Sequence, residues 1–288
     1  MADPLLIVDA PSMLYRAFFA LPKSIKGADG RPVNALLGTA NLILRELEVH
    51  PSRAVVLCFG PDAADYRVEL YEPYHAQRPP VPDELAPQFA DAPAFFDAFG
   101  WTSAIATDLE ADDVMGSLAR AEADAGGEAL LMTGDRDLFQ CVGERVKVLY
   151  VRTGGKGAEV VDEADVVRRY GIPPSAVPDF IALRGDPSDG LPGAKGIGEK
   201  TAADILRRHG SLEAAIEGAV RERPARVSGA LMDGADELRK FKDIATLRPF
   251  PVERPPDRPT DFLGGAEAAR SRGMNRLAER LEKLAAAG

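Results

Sequence analysis

Eight carboxylates fall into four short groups along the chain: Asp9; Glu110, Asp112 and Asp113; Asp135 and Asp137; and Asp186 and Asp189. Most directly follow a short apolar run or open a helical pattern. Taken singly, each has an ordinary explanation. Acids complement helix N-termini, as Glu110–Asp113 could, while Asp135 suits an N-cap and Asp189 a turn. Four such groups brought to one rim would repel one another, and a positive ion makes that crowding tolerable. Hard cations such as Mg²⁺ and Mn²⁺ take oxygen ligands. Two of them about 4 Å apart can clamp the attacking and leaving oxygens of a phosphodiester. Other chemistries lack their residues. His50, His75 and His209 are scattered and form no zinc spacing. No Gly-x-Ser-x-Gly elbow occurs, and Cys58 and Cys141 form neither a disulfide framework nor a metal cluster. Unpaired cysteines suit a reducing compartment, so a cytoplasmic protein is expected.

A second stretch, Leu191 to Ala202, carries Lys195, Gly196, Gly198, Lys200 and Thr201. It is not a nucleotide P-loop, because Glu199 interrupts the Gly-Lys-Thr succession that loop requires. A helix, a glycine-rich turn and a second helix remain. Glycines let the backbone approach a phosphate, a helix N-terminus offers N–H donors, and the lysines add charge. This reads as a sequence-independent grip on a nucleic-acid backbone, with an ordinary helix–turn–helix connection as the alternative.

The elements that must position these groups follow from periodicity. Apolar runs at Leu5–Asp9, Ala54–Phe59, Ser103–Ala106, Ala129–Met132 and Val146–Val151 predict five strands. Helical patterns lie at Ser12–Ala20, Ala35–Leu47, Glu84–Phe99 and Glu110–Ala125. Such alternation predicts an α/β fold with a mainly parallel sheet, whose ligands sit at the carboxyl ends of the strands. After Asp162 the pattern is helical: Glu163–Tyr170, Ser175–Leu183, Glu199–His209, Leu212–Gly218 and Ala235–Thr246. A proline-rich linker at 249–258 and one long helix over Ala266–Ala287 follow. This places a core over residues 1–170, a helical subdomain over 171–250, and the linker with its helix over 251–288. The 288 residues are 45% apolar, enough to bury a core, and no apolar run could span a membrane. The net charge of −10 excludes a uniformly basic coat. Residues 79–119 hold eight acids and no Lys or Arg, whereas 190–248 hold eleven bases and nine acids.

Together these motifs resemble the 5′-nuclease family: the 5′–3′ exonuclease domain of bacterial DNA polymerase I, its stand-alone relatives and phage flap endonucleases. The resemblance covers roughly residues 5–250. It rests on Leu-Glu-Ala-Asp-Asp-Val (109–114), Thr-Gly-Asp-Arg-Asp (133–137), Leu-Arg-Gly-Asp-Pro-Ser-Asp (183–189) and Gly-Ile-Gly-Glu-Lys-Thr-Ala (196–202). It implies a PIN-like core with a helix–three-turn–helix DNA-binding subdomain, and removal of nucleotides or flaps from 5′ ends. It further implies two or three Mg²⁺ or Mn²⁺ ions, and K⁺ as the cation of the turn. Asp9, Glu110 and Asp112 resemble ligands of the first metal. Asp135, Asp137, Asp186 and Asp189 resemble the second set, with Asp112 and Asp113 at their boundary. Tyr74, His75 and Arg78 match the segment that leads into an arch over about 73–100. Arg16 and Lys23 resemble bases that contact substrate near the 5′ end. The expected partner is DNA with 5′ ends, flaps or nicks, bound by a monomer away from membranes.

Two departures from the family stand out. Phe59-Gly60 replaces a Phe-Asp pair, so one metal carboxylate is missing unless Asp62, or less readily Asp65, reaches in; if neither does, the first metal keeps Asp9, Glu110 and Asp112 with water. His75 stands where the family has a catalytic lysine. Two functions follow from this sequence: a metal-dependent 5′ nuclease, or a module that binds DNA ends or junctions with weakened cutting.

Overall fold

Four of the apolar runs, Leu5–Asp9, Ala54–Phe59, Ala129–Thr133 and Val146–Val151, become strands in which nearly every residue is hidden on both faces, as in sheets covered by helices on each side. The computed structural model describes residues 3–152 and 157–287. Its first half runs β1 (Leu5–Asp9), α1 (Ala10–Ala20), α2 (Asn34–Val49), β2 (Ala54–Phe59), α3 (Asp65–Leu70), α4 (Ala86–Asp97), β3 (Thr102–Ile105), α5 (Ala111–Asp124), β4 (Ala129–Thr133), β5 (Val146–Val151) and β6 (Ala158–Val161). The sheet order is β3-β2-β1-β4-β5-β6, parallel except that β6 runs antiparallel to β5. Among the described residues only helices follow: α6 (Glu163–Tyr170), α7 (Val177–Arg184), α8 (Glu199–His209), α9 (Leu212–Glu217), α10 (Ala225–Asp233), α11 (Ala235–Ala245), α12 (Phe262–Ser271) and α13 (Asn275–Ala287). The expected α/β class, with a mainly parallel sheet and a helical C-terminal part, is what the chain adopts.

Alternate residues of each strand serve different cores. Leu5, Ile7, Val56, Leu131 and Val148 face α5 and the helices of the C-terminal half. Leu6, Val8, Leu57, Met132 and Leu149 face α1, α2, α4 and the last two helices. The order reverses between β1 and β4, and ligands in open parallel sheets gather at such a switch point. Asp9 ends β1 there and Thr133 ends β4.

Four local expectations need correction. Strand β6 was not anticipated, since four residues with one fully buried give little periodicity. The short helices α3 and α10 were likewise unforeseen. The long C-terminal helix is two, broken at Gly273, whose φ of +78° a helix cannot contain. The expected arch is in part core: α4 buries Ala92, Phe95 and Phe96 in the second face, where Trp101 stacks on Phe96. The loop before it, with Pro79 and Val81, and the first turns of α4, with Ala86 and Phe89, reach the cleft described below.

At the opposite end of the sheet, Glu122 of α5 receives Arg53 through both carboxylate oxygens and Arg254 from the proline-rich segment. Arg53 also donates to the Pro255 carbonyl and Asp257, each at 2.8 Å. This ties the foot of α5, whose other end carries Glu110–Asp113, to β2 and the C-terminal segment. Glu122→Ala strands the buried Arg53 and is expected to cost about 3–5 kcal/mol in urea unfolding. A loss below 1 kcal/mol would show that the cluster is ornamental.

Candidate active site

Where β1 and β4 part, a cleft of about 1080 Å³ opens beyond the strand ends. Its floor is lined by Asp9, Glu110, Asp112, Asp135, Asp137, Asp186 and Asp189. Seven of the eight singled-out carboxylates therefore meet in one cavity, although they come from four separate parts of the chain.

Five of the seven are held by hydrogen bonds or ion pairs. Asp9 caps α1 through its Oδ1, which accepts the Ser12 N–H at 3.0 Å, while Oδ2 accepts the Thr133 hydroxyl at 2.7 Å. The same hydroxyl accepts the Asp135 N–H at 2.9 Å, so Thr133 ties Asp9 to Asp135. Asp135 Oδ1 accepts the Asp137 N–H at 2.9 Å. Glu110 accepts the Ala64 N–H at 2.8 Å and the Tyr74 hydroxyl at 3.1 Å, and pairs with Arg67 at 3.0 Å. Asp186 accepts the Ser188 N–H and pairs with Arg184. Asp189 is shared by His75 Nε2 at 3.1 Å and Arg78 at 2.9 Å.

The electrostatics of this floor are strained. Burial pushes Asp112 well above the ordinary carboxylate range, and the charges of Asp9, Asp135 and Glu110 push it further. Asp137 is raised in the same way, by burial and then by Asp135, Asp189 and Asp186. Asp135 is pushed up to about 6 by burial and by Asp189, with its bond from the Asp137 N–H opposing. Burial also raises Asp9, against the bond from Ser12, the Thr133 hydroxyl and the charge of Arg16. The donors are all hard oxygens of one sign, the kind of set that suits Mg²⁺ or Mn²⁺. Among the described residues no three His, Cys, Asp or Glu side chains converge on one point as they stand. The fit to a cation is thus one of donor chemistry and charge, not of preformed coordination.

Several expected residues lie elsewhere or do something else. Asp113 is fully buried beneath the floor, bound at both oxygens by Arg67 and accepting the Glu110 and Arg248 N–H groups. It anchors α5 and has no face towards the cleft. Asp62 does not replace the missing carboxylate: its side chain is 60% exposed and pairs with Arg78. Asp65 is exposed on α3 and does not line the cleft. Nor has position 60 room for a side chain, because a Cβ there would lie 2.5 Å from the Leu109 carbonyl oxygen and 2.7 Å from the Ala111 nitrogen. His75 is buried, with Nδ1 2.5 Å from the Asp62 carbonyl oxygen and its ring stacked on Tyr74 at 3.8 Å. It bridges two loops of the wall and is no surface residue. Arg16 lines the cleft and donates to the Gly134 carbonyl at 3.1 Å, in space that any side chain at Gly134 would fill. Lys23 pairs with Glu84 at 2.8 Å and does not line the cleft. Lys195, Gly196, Gly198, Lys200 and Thr201 also lie outside it, in the turn that opens α8, with both lysines exposed.

Thr133 and Arg67 were missed in the sequence. A hydroxyl immediately before the Gly-Asp pair at a strand end is a usable signal for the first. Arg67 gave none, because only the fold buries its short helix.

Known proteins resemble the chain along this whole length. A family profile described as 5′-3′ exonuclease, N-terminal resolvase-like domain, matches residues 4–171, and one described as 5′-3′ exonuclease, C-terminal SAM fold, matches residues 172–257. A "5′-3′ exonuclease" of Mycobacterium tuberculosis is 36% identical, with 98% of each chain covered. A thermostable DNA polymerase I of Thermus thermophilus is also 36% identical over 96% of this chain, which spans 32% of that longer protein. In fold the chain is similar to the T5 5′-exonuclease with bound zinc (TM-score 0.67, 16% identity, 97% of this chain and 98% of that one). It is also similar to the Rad2 catalytic core in complex with DNA substrate (TM-score 0.62, 15% identity, 98% and 91%).

Carboxylates raised by folding stabilise a chain least when ionised. Their cost is absent below the unfolded value near 4 and grows as pH rises through the folded values, about 6 for Asp135 and above the ordinary range for Asp112 and Asp137. The cation-free protein should therefore lose thermal stability from pH 5 to pH 8, and Asp112→Asn should recover part of it at pH 8. A melting temperature that is flat or rising over this window would contradict a crowded, ionised floor.

Proposed function

The chain belongs to the 5′-3′ exonuclease family, and on that premise we propose that it hydrolyses DNA phosphodiesters from 5′ ends, as an exonuclease and as a structure-specific flap endonuclease. The observation that carries this reading is the floor of Asp9, Asp112, Asp135 and Asp137, raised together by burial and mutual repulsion. In this reading Asp9, Glu110 and Asp112 hold one divalent cation, Mg²⁺ or Mn²⁺, and Asp135, Asp137, Asp186 and Asp189 a second. When bound, such cations neutralise the phosphate's charge and make water nucleophilic near neutral pH.

The chain's own residues do the rest. Thr133 fixes Oδ2 of Asp9 towards β4 and holds the loop that presents Asp135. Arg67 and Tyr74, which line the cleft beside Glu110, hold its carboxylate and set its orientation before any ligand arrives. His75 and Arg78 brace Asp189 against the loop around Asp62. Tyr74, His75, Arg78 and Arg16 line the cleft, and in this reading they contact the phosphates of the cleaved strand. The exposed Lys195 and Lys200, the backbone of Gly196 and Gly198, and Thr201 grip the duplex independently of sequence, with K⁺ as the cation we assign to that turn. All groups come from one chain, so a monomer suffices. Among the described residues no helix is long and apolar enough to cross a membrane. We assign the protein to the cytoplasm, as its unpaired cysteines suit.

A second reading, DNA-end binding with weak cutting, draws on Gly60, which leaves the first cation with one carboxylate fewer than the family pattern. One experiment separates them. On 5′-labelled duplex and flap DNA with millimolar Mn²⁺ or Mg²⁺, the protein should release short 5′ products, and chelator or Asp135→Ala should abolish them while duplex binding persists. Binding without cleavage at any cation concentration would favour the second reading. Cleavage by a folded Asp135→Ala variant would remove the metal assignment.

A further inference from the structure

The arginines around the cleft differ in what balances them. Arg67 is paired with Glu110 and Asp113, Arg78 with Asp62 and Asp189, and Arg184 with Asp186 at 2.9 Å. Arg16 bonds the Gly134 carbonyl, and its charge falls on Asp9. Arg136 is the exception. It is exposed, lines the cleft between Asp135 and Asp137, and makes no ion pair with any described residue. Phenols hold it instead. Its Nε donates to the Tyr150 hydroxyl at 3.2 Å, its guanidinium carbon sits 5.9 Å from the Tyr150 ring centre, and Tyr170 is its other polar neighbour.

Neutral hydroxyls fix a guanidinium's direction without cancelling its charge, which leaves its remaining N–H donors available to an anion. The cation also sits where the cleft meets the helical half. Arg136 opens the 3₁₀ turn Asp137–Cys141, and that turn packs on α7. A strand gripped at the exposed Lys195 and Lys200 and cut over the carboxylate floor would cross this junction.

We propose that Arg136, braced by Tyr150, is a phosphate-binding residue that contacts the nucleic-acid backbone on the β4–β5 wall, next to the bond being cut. The inference rests on the nuclease reading above. Arg136 adds a positive charge that no carboxylate among the described residues pairs with, where the phosphate must approach seven carboxylates. It reads no base, so its effect is the same for every sequence.

The test is fluorescence anisotropy of the full chain on a labelled nicked duplex, in EDTA, over a salt series. Arg136→Gln should weaken binding about tenfold and reduce the salt slope by about one phosphate, and Arg136→Lys should restore most of the slope. Tyr150→Phe should weaken binding less, by freeing the guanidinium. A neutral methylphosphonate at one of the phosphates flanking the nick should weaken the wild type as Arg136→Gln does, and should have no further effect on that variant. Unchanged affinity and slope in Arg136→Gln, or full additivity at every flanking phosphate, would overturn the proposal while leaving the nuclease reading intact. If the wild type neither binds nor cuts the duplex, both fall.

Discussion

Like charges confined near the sheet's switch point are the constraint on which the rest of this structure depends. Asp112 and Asp137 are each raised by burial and by three or four neighbouring carboxylates. Left alone, such a group favours protonation or separation. The fold limits separation by building several of these carboxylates into their elements: Asp9 as the cap of α1, Asp135 in a turn bonded to the strand end, and Glu110 as the cap of α5. The repulsion is then stored in the folded state, and binding positive charge is the means of relieving it.

A second layer of charge beneath the first makes that arrangement rigid. Arg67 reaches from α3 to Glu110, to both oxygens of Asp113 and to the Ile244 carbonyl on α11. The floor, the wall and the helical half are thereby joined at one buried guanidinium. At the far end of α5, Glu122 and Arg53 do the same for the C-terminal segment. The helix that carries the densest group of acids is therefore pinned at both ends. The wall is fixed more lightly, by Arg78 and His75 spanning Asp62 and Asp189.

Much of this was legible in the sequence, and what was not has physical reasons. The buried parallel strands were plain because sheets covered on both faces need continuous apolar runs. The strand-end carboxylates were plain because their number has no economical structural explanation. Asp113 was misread because two adjacent acids at a helix start look alike in sequence, yet their directions differ by about 100° around the axis. One points into the cleft and the other into a salt bridge. The substitute ligand at Asp62 failed because distance along the chain does not reveal that Arg78 competes for it. The arch was overread because its acidic composition hid a core-facing row of phenylalanines in α4. Gly60 appears as a lost ligand in sequence, but in the fold it is also a point where two backbones touch.

The central claim is that the carboxylate floor exists to hold divalent cations. Anomalous scattering from crystals soaked in millimolar Mn²⁺ tests it most directly. The account predicts peaks within ligand distance of Asp9, Asp112, Asp135 and Asp137, with Asp113 remaining on Arg67 and uninvolved. Crystals that show Mn²⁺ elsewhere, or none at the floor while the same preparation cuts DNA, would contradict it.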